Sequence, residues 1–264
     1  MDLDLDMKRA VVTGSTAGIG RAIAAGLAAE GVEVIVNGRT REKVEKVAQE
    51  ISAAGRAYGV AADLSTADGA AALIAGARKI GPVDILVNNF GIFEPKPFAK
   101  VSDEDWLRFF NLNVLSAIRC TRLVIDGMRE RGWGRILFVS SESGINIPAE
   151  MIHYGMTKTA LLAISRGLAK DLANTGVTVN ALLPGPTWTE GVAGFVEKLA
   201  AEQDQTLEEC KRDFFRTARP GSLLQRFAEP EEVASHAVYL CSPRASATTG
   251  AAHRVDGGIV DTCC

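Results

Sequence analysis

Short apolar runs alternate with longer amphipathic stretches along most of the chain, and this alternation predicts strands and helices in turn. RAVVT (9–13) reads as a strand, and 18–31 reads as a helix that stops at Gly31. EVIVN (33–37) is strand-like, and the next helix, 41–55, puts Val44, Val47 and Ile51 on one face. YGVAAD (58–63), DILVNN (84–89), RILFVSS (135–141) and VTVNALL (177–183) are further strands with helical segments between them, and AAHRVDGG (251–258) is the last. Apolar strands separated by helices imply an α/β fold whose parallel sheet is covered on both faces. No Pro- or Ser-rich linker divides 1–264 and no repeat is evident, so one domain is expected.

The stretch 186–224 breaks the rhythm. It lacks an obvious strand and carries two helical patterns. The first places Val192, Phe195, Val196 and Leu199 at helical spacing; the second opens on a capping-box pattern, Thr206 to Glu209, and carries Leu207, Cys210 and Phe214. The segment reads either as packed surface, against the body or a second subunit, or as a mobile lid over an apolar substrate. Trp188, Phe90 and Met151 are candidates to line the space beneath it.

Composition narrows the function classes. A net charge of −3 and a pI near 5.7, with no concentrated basic face, argue against nucleic acid as a partner. No run approaches the roughly 18 apolar residues that a membrane-spanning helix needs, and the acidic start MDLDLDM has no signal-peptide pattern and reads as a short leader. The cysteines, Cys120, Cys210, Cys241, Cys263 and Cys264, are odd in number and lack metal-ligand spacing, which points to a reducing compartment such as the cytoplasm. His153, His236 and His253 have no clustered acidic or thiol partners, so no metal site is expected.

The candidate chemistry begins at TGSTAGIG (13–20), a glycine-rich turn between the first strand and the first helix. Gly14, Gly18 and Gly20 allow close backbone approach to a ligand, and the helix start offers free N–H groups to a pyrophosphate. The spacing is neither that of a P-loop nor G-x-G-x-x-G. The second strand ends in Asn37-Gly38-Arg39-Thr40, with an arginine where an NAD-preferring site carries an acid. Arg39 can pair with a 2′-phosphate, and Gly38 is expected to leave room for it. Further on, Tyr154 precedes Lys158 by one helical turn, so both side chains project from one face. Alone, that pair reads as two surface residues.

TGSTAGIG, Asn88-Asn89-Phe90-Gly91 and Tyr154-x-x-x-Lys158, in that order, resemble the short-chain dehydrogenase/reductase family. The resemblance runs from Lys8 to about Val260 and includes Asp63-Leu64, Pro184-Gly185 and the closing VDGG. It implies a Rossmann-type doubly wound sheet of about seven strands, with NADP (NAD is possible) held by Gly14, Ser15, Thr16, Gly18, Ile19, Gly20, Arg39, Asp63, Leu64, Asn89 and Gly91. Pro184, Gly185, Thr187 and Thr189 would lie beside the nicotinamide. It also implies a catalytic tetrad of Asn113, Ser141, Tyr154 and Lys158, with Ser140 as the neighbouring alternative to Ser141. In this scheme Ser141 hydrogen-bonds the substrate oxygen, and Tyr154 exchanges its proton. Lys158 also contacts the nicotinamide ribose, and Asn113 holds a water that continues the proton path. Phe90 departs from the usual alanine and is expected to narrow the cofactor or substrate space, whereas Glu142 is expected to be structural.

A free tyrosine titrates near 10, and bringing it to about 7 takes roughly 4 kcal/mol. A lysine charge about 5 Å away supplies roughly 3 kcal/mol at an effective dielectric of about 20. The expected activity is interconversion of a ketone, a 3-oxoacyl thioester among them, and a secondary alcohol. An NAD-linked alcohol dehydrogenase and a non-catalytic nucleotide sensor are the rivals. A dimer or tetramer through the fourth and fifth helices is the expected assembly.

Overall fold

Successive side chains of a strand point to opposite faces, and the inner strands use both. Ala10 and Val12 enter one core cluster while Val11 enters the other; Val34 and Val36 part from Ile35 in the same way, and Ile85 and Val87 from Leu86. The computed structural model describes residues 2–53 and 55–263. Its elements begin with β1 (Arg9–Val12), α1 (Gly18–Ala29), β2 (Glu33–Gly38), α2 (Arg41–Ser52), β3 (Arg56–Ala61), α3 (Ala67–Ile80) and β4 (Ile85–Asn88). They continue with α4 (Asp103–Phe110), α5 (Ser116–Glu130), β5 (Gly134–Val139), α6 (Ile152–Asp171), β6 (Val177–Pro184), α7 (Glu190–Glu202), α8 (Leu207–Thr217), α9 (Pro230–Leu240) and β7 (Ala252–Val255).

Among the described residues the strands form one seven-stranded parallel sheet in the order β3-β2-β1-β4-β5-β6-β7. Apolar residues of α1, α2 and α9 cover one face, and those of α3, α5 and α6 cover the other. This is the doubly wound Rossmann-type architecture. The strand order reverses between β1 and β4, where such sheets open a crevice at their carboxyl ends.

Several local features differ from the sequence expectation. β3 starts at Arg56, not at residue 58, because it is an edge strand whose mostly exposed side chains leave little hydrophobic signal; pairing of Arg56 with Glu33 sets its start. β5 ends at Val139, and Ser140 turns away with its N–H shared between the carbonyls of Phe138 and Leu182. Asn113 lies in a π-helical turn, Asn111–Leu115, inserted between α4 and α5. Residues 186–224 form α7 and α8 as expected, with a small core of Val196, Ala200, Cys210, Phe215 and Phe227. Phe215, not Phe214, is the more deeply buried aromatic of α8, and Thr187 forms an isolated parallel bridge with Ala228 where no strand was expected. Among the described residues no helix is long and apolar enough to cross a membrane, and no cluster of three or more His, Cys, Asp or Glu suits a metal ion. Cys264 lies outside the described residues.

Candidate active site

The glycine turn after β1 is fastened from two neighbouring strands. Asn89, just past β4, donates its side-chain amide to the carbonyls of Thr13 (3.0 Å) and Gly14 (3.1 Å). The Thr13 hydroxyl oxygen accepts the N–H groups of Asn89 (2.9 Å) and Phe90 (3.0 Å) in return. Gly14 and Gly18 have φ of 60° and 54°, and a Cβ on Gly20 would overlap the Asn89 amide. From β2, Asn37 accepts the Gly14 N–H at 3.2 Å. Ser15 is buried, donates to the Val12 carbonyl at 2.7 Å and accepts the Asn37 N–H at 2.9 Å. The Ser15 side chain therefore builds the turn. The Gly18 N–H donates to the Glu190 carboxylate at 2.9 Å, so an anion can sit against this helix start.

A cleft of about 740 Å³ opens beside the turn. One side is formed by Gly18, Ile19, Gly20, Asn89 and Gly91, and another by Pro184, Gly185, Thr187 and Thr189. Ser141, Tyr154 and Lys158 lie in the same cleft, and its remaining wall includes Met151, Val192, Phe195, Leu199 and Phe214. Ser141 caps the short 3-10 turn Glu142–Gly144 by accepting the Ser143 N–H at 3.1 Å, and its hydroxyl lies near enough to the Tyr154 phenol to pull the phenol's pKa down. Ser140 is committed elsewhere: its hydroxyl donates to the Lys158 carbonyl at 2.8 Å. That separates the two serines that the sequence left as alternatives.

Lys158 Nζ lies 5.5 Å from the centre of the Tyr154 ring and donates to the Val139 carbonyl at 2.9 Å. Asn113 is buried outside the cleft lining. Its amide donates to the Ile92 carbonyl (3.0 Å) and to Thr157 (3.0 Å), and its oxygen accepts the Ile92 N–H at 2.7 Å. Thr157 in turn donates to the Tyr154 carbonyl at 2.7 Å, so the π turn is tied to the turn of α6 that carries the tyrosine.

The electrostatics correct the expected activation of Tyr154. Burial pushes the phenol up to about 12, the Ser141 hydroxyl pulls it down, and the Glu142 charge pushes it further up. Burial also pushes Lys158 down to about 8. The lysine turns its ammonium to a carbonyl and is itself desolvated, so its charge does not offset the loss of water around the phenol. The side chains thus present a protonated phenol, an acid by default, above a lysine poised near neutrality.

Several expected contacts lie outside this cleft. Arg39 is exposed just past β2, and its charge helps hold the Asp63 carboxyl below its ordinary range, after the larger effect of hydrogen bonds from Ser65. Leu64 is buried in the core, leaving only its backbone for a ligand. Gly38 serves packing: a Cβ there would stand 2.7 Å from Thr16 Cγ2 and 3.1 Å from Val44. Phe90 packs half-buried on the core and Trp188 against Phe227 at 5.1 Å; neither lines the cleft, whereas Met151 does. Glu190 and Arg219 escaped the sequence reading. They come from 186–224, which has no strand register to orient its side chains, and only the position of Glu190 after Thr189 hinted at the site.

The short chain dehydrogenase family model matches residues 8–200. "Uncharacterized oxidoreductase YvrD" of Bacillus subtilis (strain 168) is 49% identical over 260 residues, covering 98% of this chain and 99% of the relative. The crystal structure of L-sorbose reductase from Gluconobacter frateurii, complexed with NADPH and L-sorbose, superimposes with a TM-score of 0.94 at 32% identity, covering 99% of this chain and 100% of that one. An actinorhodin polyketide ketoreductase solved with NADPH has a TM-score of 0.90 at 34% identity, with 98% and 99% covered. This chain belongs to the short-chain dehydrogenase family and is an oxidoreductase of that family.

Proposed function

We propose that the protein reduces a ketone to a secondary alcohol with NADPH, and runs the reverse reaction when the alcohol is in excess. The observation that carries this reading is the Ser141–Tyr154 pair in a cleft whose neighbouring wall is the glycine turn. The chain's residues fit a dinucleotide: the Gly18 N–H already donates to a carboxylate, and the positive φ of Gly14 and Gly18 keeps the backbone of the turn close to the cleft. Gly18, Ile19, Gly20, Asn89 and Gly91 would hold it, with Asp63 and the Leu64 backbone toward the adenine and Arg39 toward a 2′-phosphate. Pro184, Gly185, Thr187 and Thr189 would border the nicotinamide. When bound, the nicotinamide supplies the hydride.

The chain supplies the rest. Ser141 donates a hydrogen bond to the carbonyl oxygen as negative charge builds there. Tyr154 delivers the proton to that oxygen, which its high pKa suits. Lys158 stabilises the resulting phenolate and bonds the ribose. Asn113 positions the loop after β4 and, through Thr157, the first turn of α6. NADPH complexes of the sorbose reductase and the ketoreductase support the choice of cofactor. Assembly through α4 and α5 belongs to the same reading, since Leu107 stays 71% exposed and Phe110 36% exposed there. The test is NADPH consumption with a panel of ketones, 3-oxoacyl thioesters included; a panel that consumes none removes the proposal.

A further inference from the structure

One polar cluster in the cleft is not used by the reaction described above. Glu142 follows Ser141 directly, and its side chain is only 4% exposed. One carboxylate oxygen, Oε1, lies 3.4 Å from Nε of Arg219, close enough for an ion pair but without hydrogen-bond geometry. The other, Oε2, is buried and no donor meets it with hydrogen-bond geometry. Arg219, 8% exposed, sits just beyond α8 and donates through Nη1 to Glu150 (3.0 Å) and to the Ala218 carbonyl (2.7 Å). All three charged residues line the cleft.

A buried acceptor without a donor is costly, and a ligand that supplies the donor recovers that cost. The charge balance restricts the ligand. One guanidinium faces Glu142 and Glu150, so the cluster offers no net positive charge to attract a carboxylate or a phosphate. Because Glu142 adjoins Ser141, which binds the carbonyl oxygen in the reading above, the donor belongs close to that carbonyl.

We propose that Glu142, held by Arg219, is a specificity-determining residue that accepts a hydrogen bond from a hydroxyl next to the substrate carbonyl, so that the preferred substrates are uncharged hydroxy-ketones. This rests on the ketone-reductase reading. The alternative is that the cluster only fastens α8 to the turn after β5. A fastening role alters turnover of all ketones alike, whereas a specificity role alters the ratio between them.

The test uses three small ketones that differ only at one carbon substituent: hydroxyacetone, acetone and pyruvate, each with NADPH. The wild-type enzyme should favour hydroxyacetone over acetone in kcat/KM by at least about tenfold, the scale of a charge-assisted hydrogen bond. Pyruvate should fall below acetone. Glu142→Gln should bring the hydroxyacetone-to-acetone ratio close to one, and Glu150→Gln, which leaves the Glu142 carboxylate in place, should keep it. NADPH binding by fluorescence verifies that each variant is folded. Equal wild-type rates with hydroxyacetone and acetone, or an unchanged ratio in Glu142→Gln, overturn the proposal and leave ketone reduction standing. The wild-type comparison decides even where a variant fails to fold. Consumption of none of these ketones, nor of any in the wider panel, overturns both.

Discussion

At the scale of single residues, burial decides the protonation of the reacting pair. Tyr154 at about 12 keeps its proton throughout the accessible pH range, so reduction does not wait on the phenol. Lys158 at about 8 is a cation below that pH and neutral above it. If the ammonium supports the phenolate that forms, kcat/KM for reduction should be level below pH about 8 and fall about tenfold per unit above it. A profile that stays flat to about pH 10, the ordinary tyrosine value, would remove Lys158 from this role. Tyr154→Phe should lower turnover by at least about a hundredfold while NADPH affinity stays within a few-fold, because the ring remains. Ordinary turnover in that variant would end the proton-transfer assignment.

Cofactor choice is also a single-residue matter. Arg39 is exposed beside the end of β2, and the crowding of Gly38 by Thr16 makes an aspartate at position 38 a poor probe. Arg39→Ala is the cleaner change. A charge-assisted hydrogen bond to a 2′-phosphate is worth roughly 1.5–3 kcal/mol, about a tenfold or greater factor. The NADPH-over-NADH ratio of kcat/KM, at fixed ionic strength, should drop by at least about that factor. An unchanged ratio would make Arg39 an ordinary solvated side chain.

At the scale of elements, what was legible followed the hydrophobic pattern. The inner strands and amphipathic helices were readable because burial on two faces writes a short continuous apolar run and burial on one stripe writes a helical period. The start of β3 was not, because that strand is paired by its backbone and largely exposed. Nor was the π turn at Asn111–Leu115, an extra residue absorbed into a helix with no change of period on either side. Tyr154, Lys158 and Ser141 were legible through their order and spacing, but the phenol's environment was not, since desolvation depends on what the fold packs around it. The junction of α1 and α7 was equally hidden: Glu190 at the start of α7 reaches the Gly18 N–H at the start of α1. There its carboxylate occupies a donor, and adds a negative charge, where pyrophosphate is proposed to bind. Glu190→Ala should therefore tighten NADPH binding several-fold by fluorescence titration, with the gain shrinking as salt screens the charge. Weaker binding in the variant would show that Glu190 supports the cofactor.

At the scale of the whole molecule, the sheet and the α7–α8 pair are held by different amounts of structure. The sheet strands are locked into two extensive cores with parallel partners throughout. The helical pair has its own small core around Val196, Cys210, Phe215 and Phe227, and α8 starts on a capping box formed by Thr206 and Glu209. Its ties to the body include the Thr187–Ala228 bridge, the Glu190–Gly18 contact and the pairing of Arg219 with Glu142 and Glu150. Each of those ties involves a residue that lines the cleft, so ligands there act on them directly. Local opening is governed by how much buried apolar contact an element must give up. The pair should accordingly open as a unit at lower free energy than the sheet. Phe195, 37% exposed and lining the cleft, has apolar surface left to cover when a substrate enters. Hydrogen exchange should thus be faster in α7 and α8 than in β1, β4 and β5 of the protein alone, and should slow in the helical pair when NADPH and a slow ketone substrate are added together. Equal protection of the pair with and without ligands would mean that it is fixed packing, and the proposed lid role of 186–224 would fall.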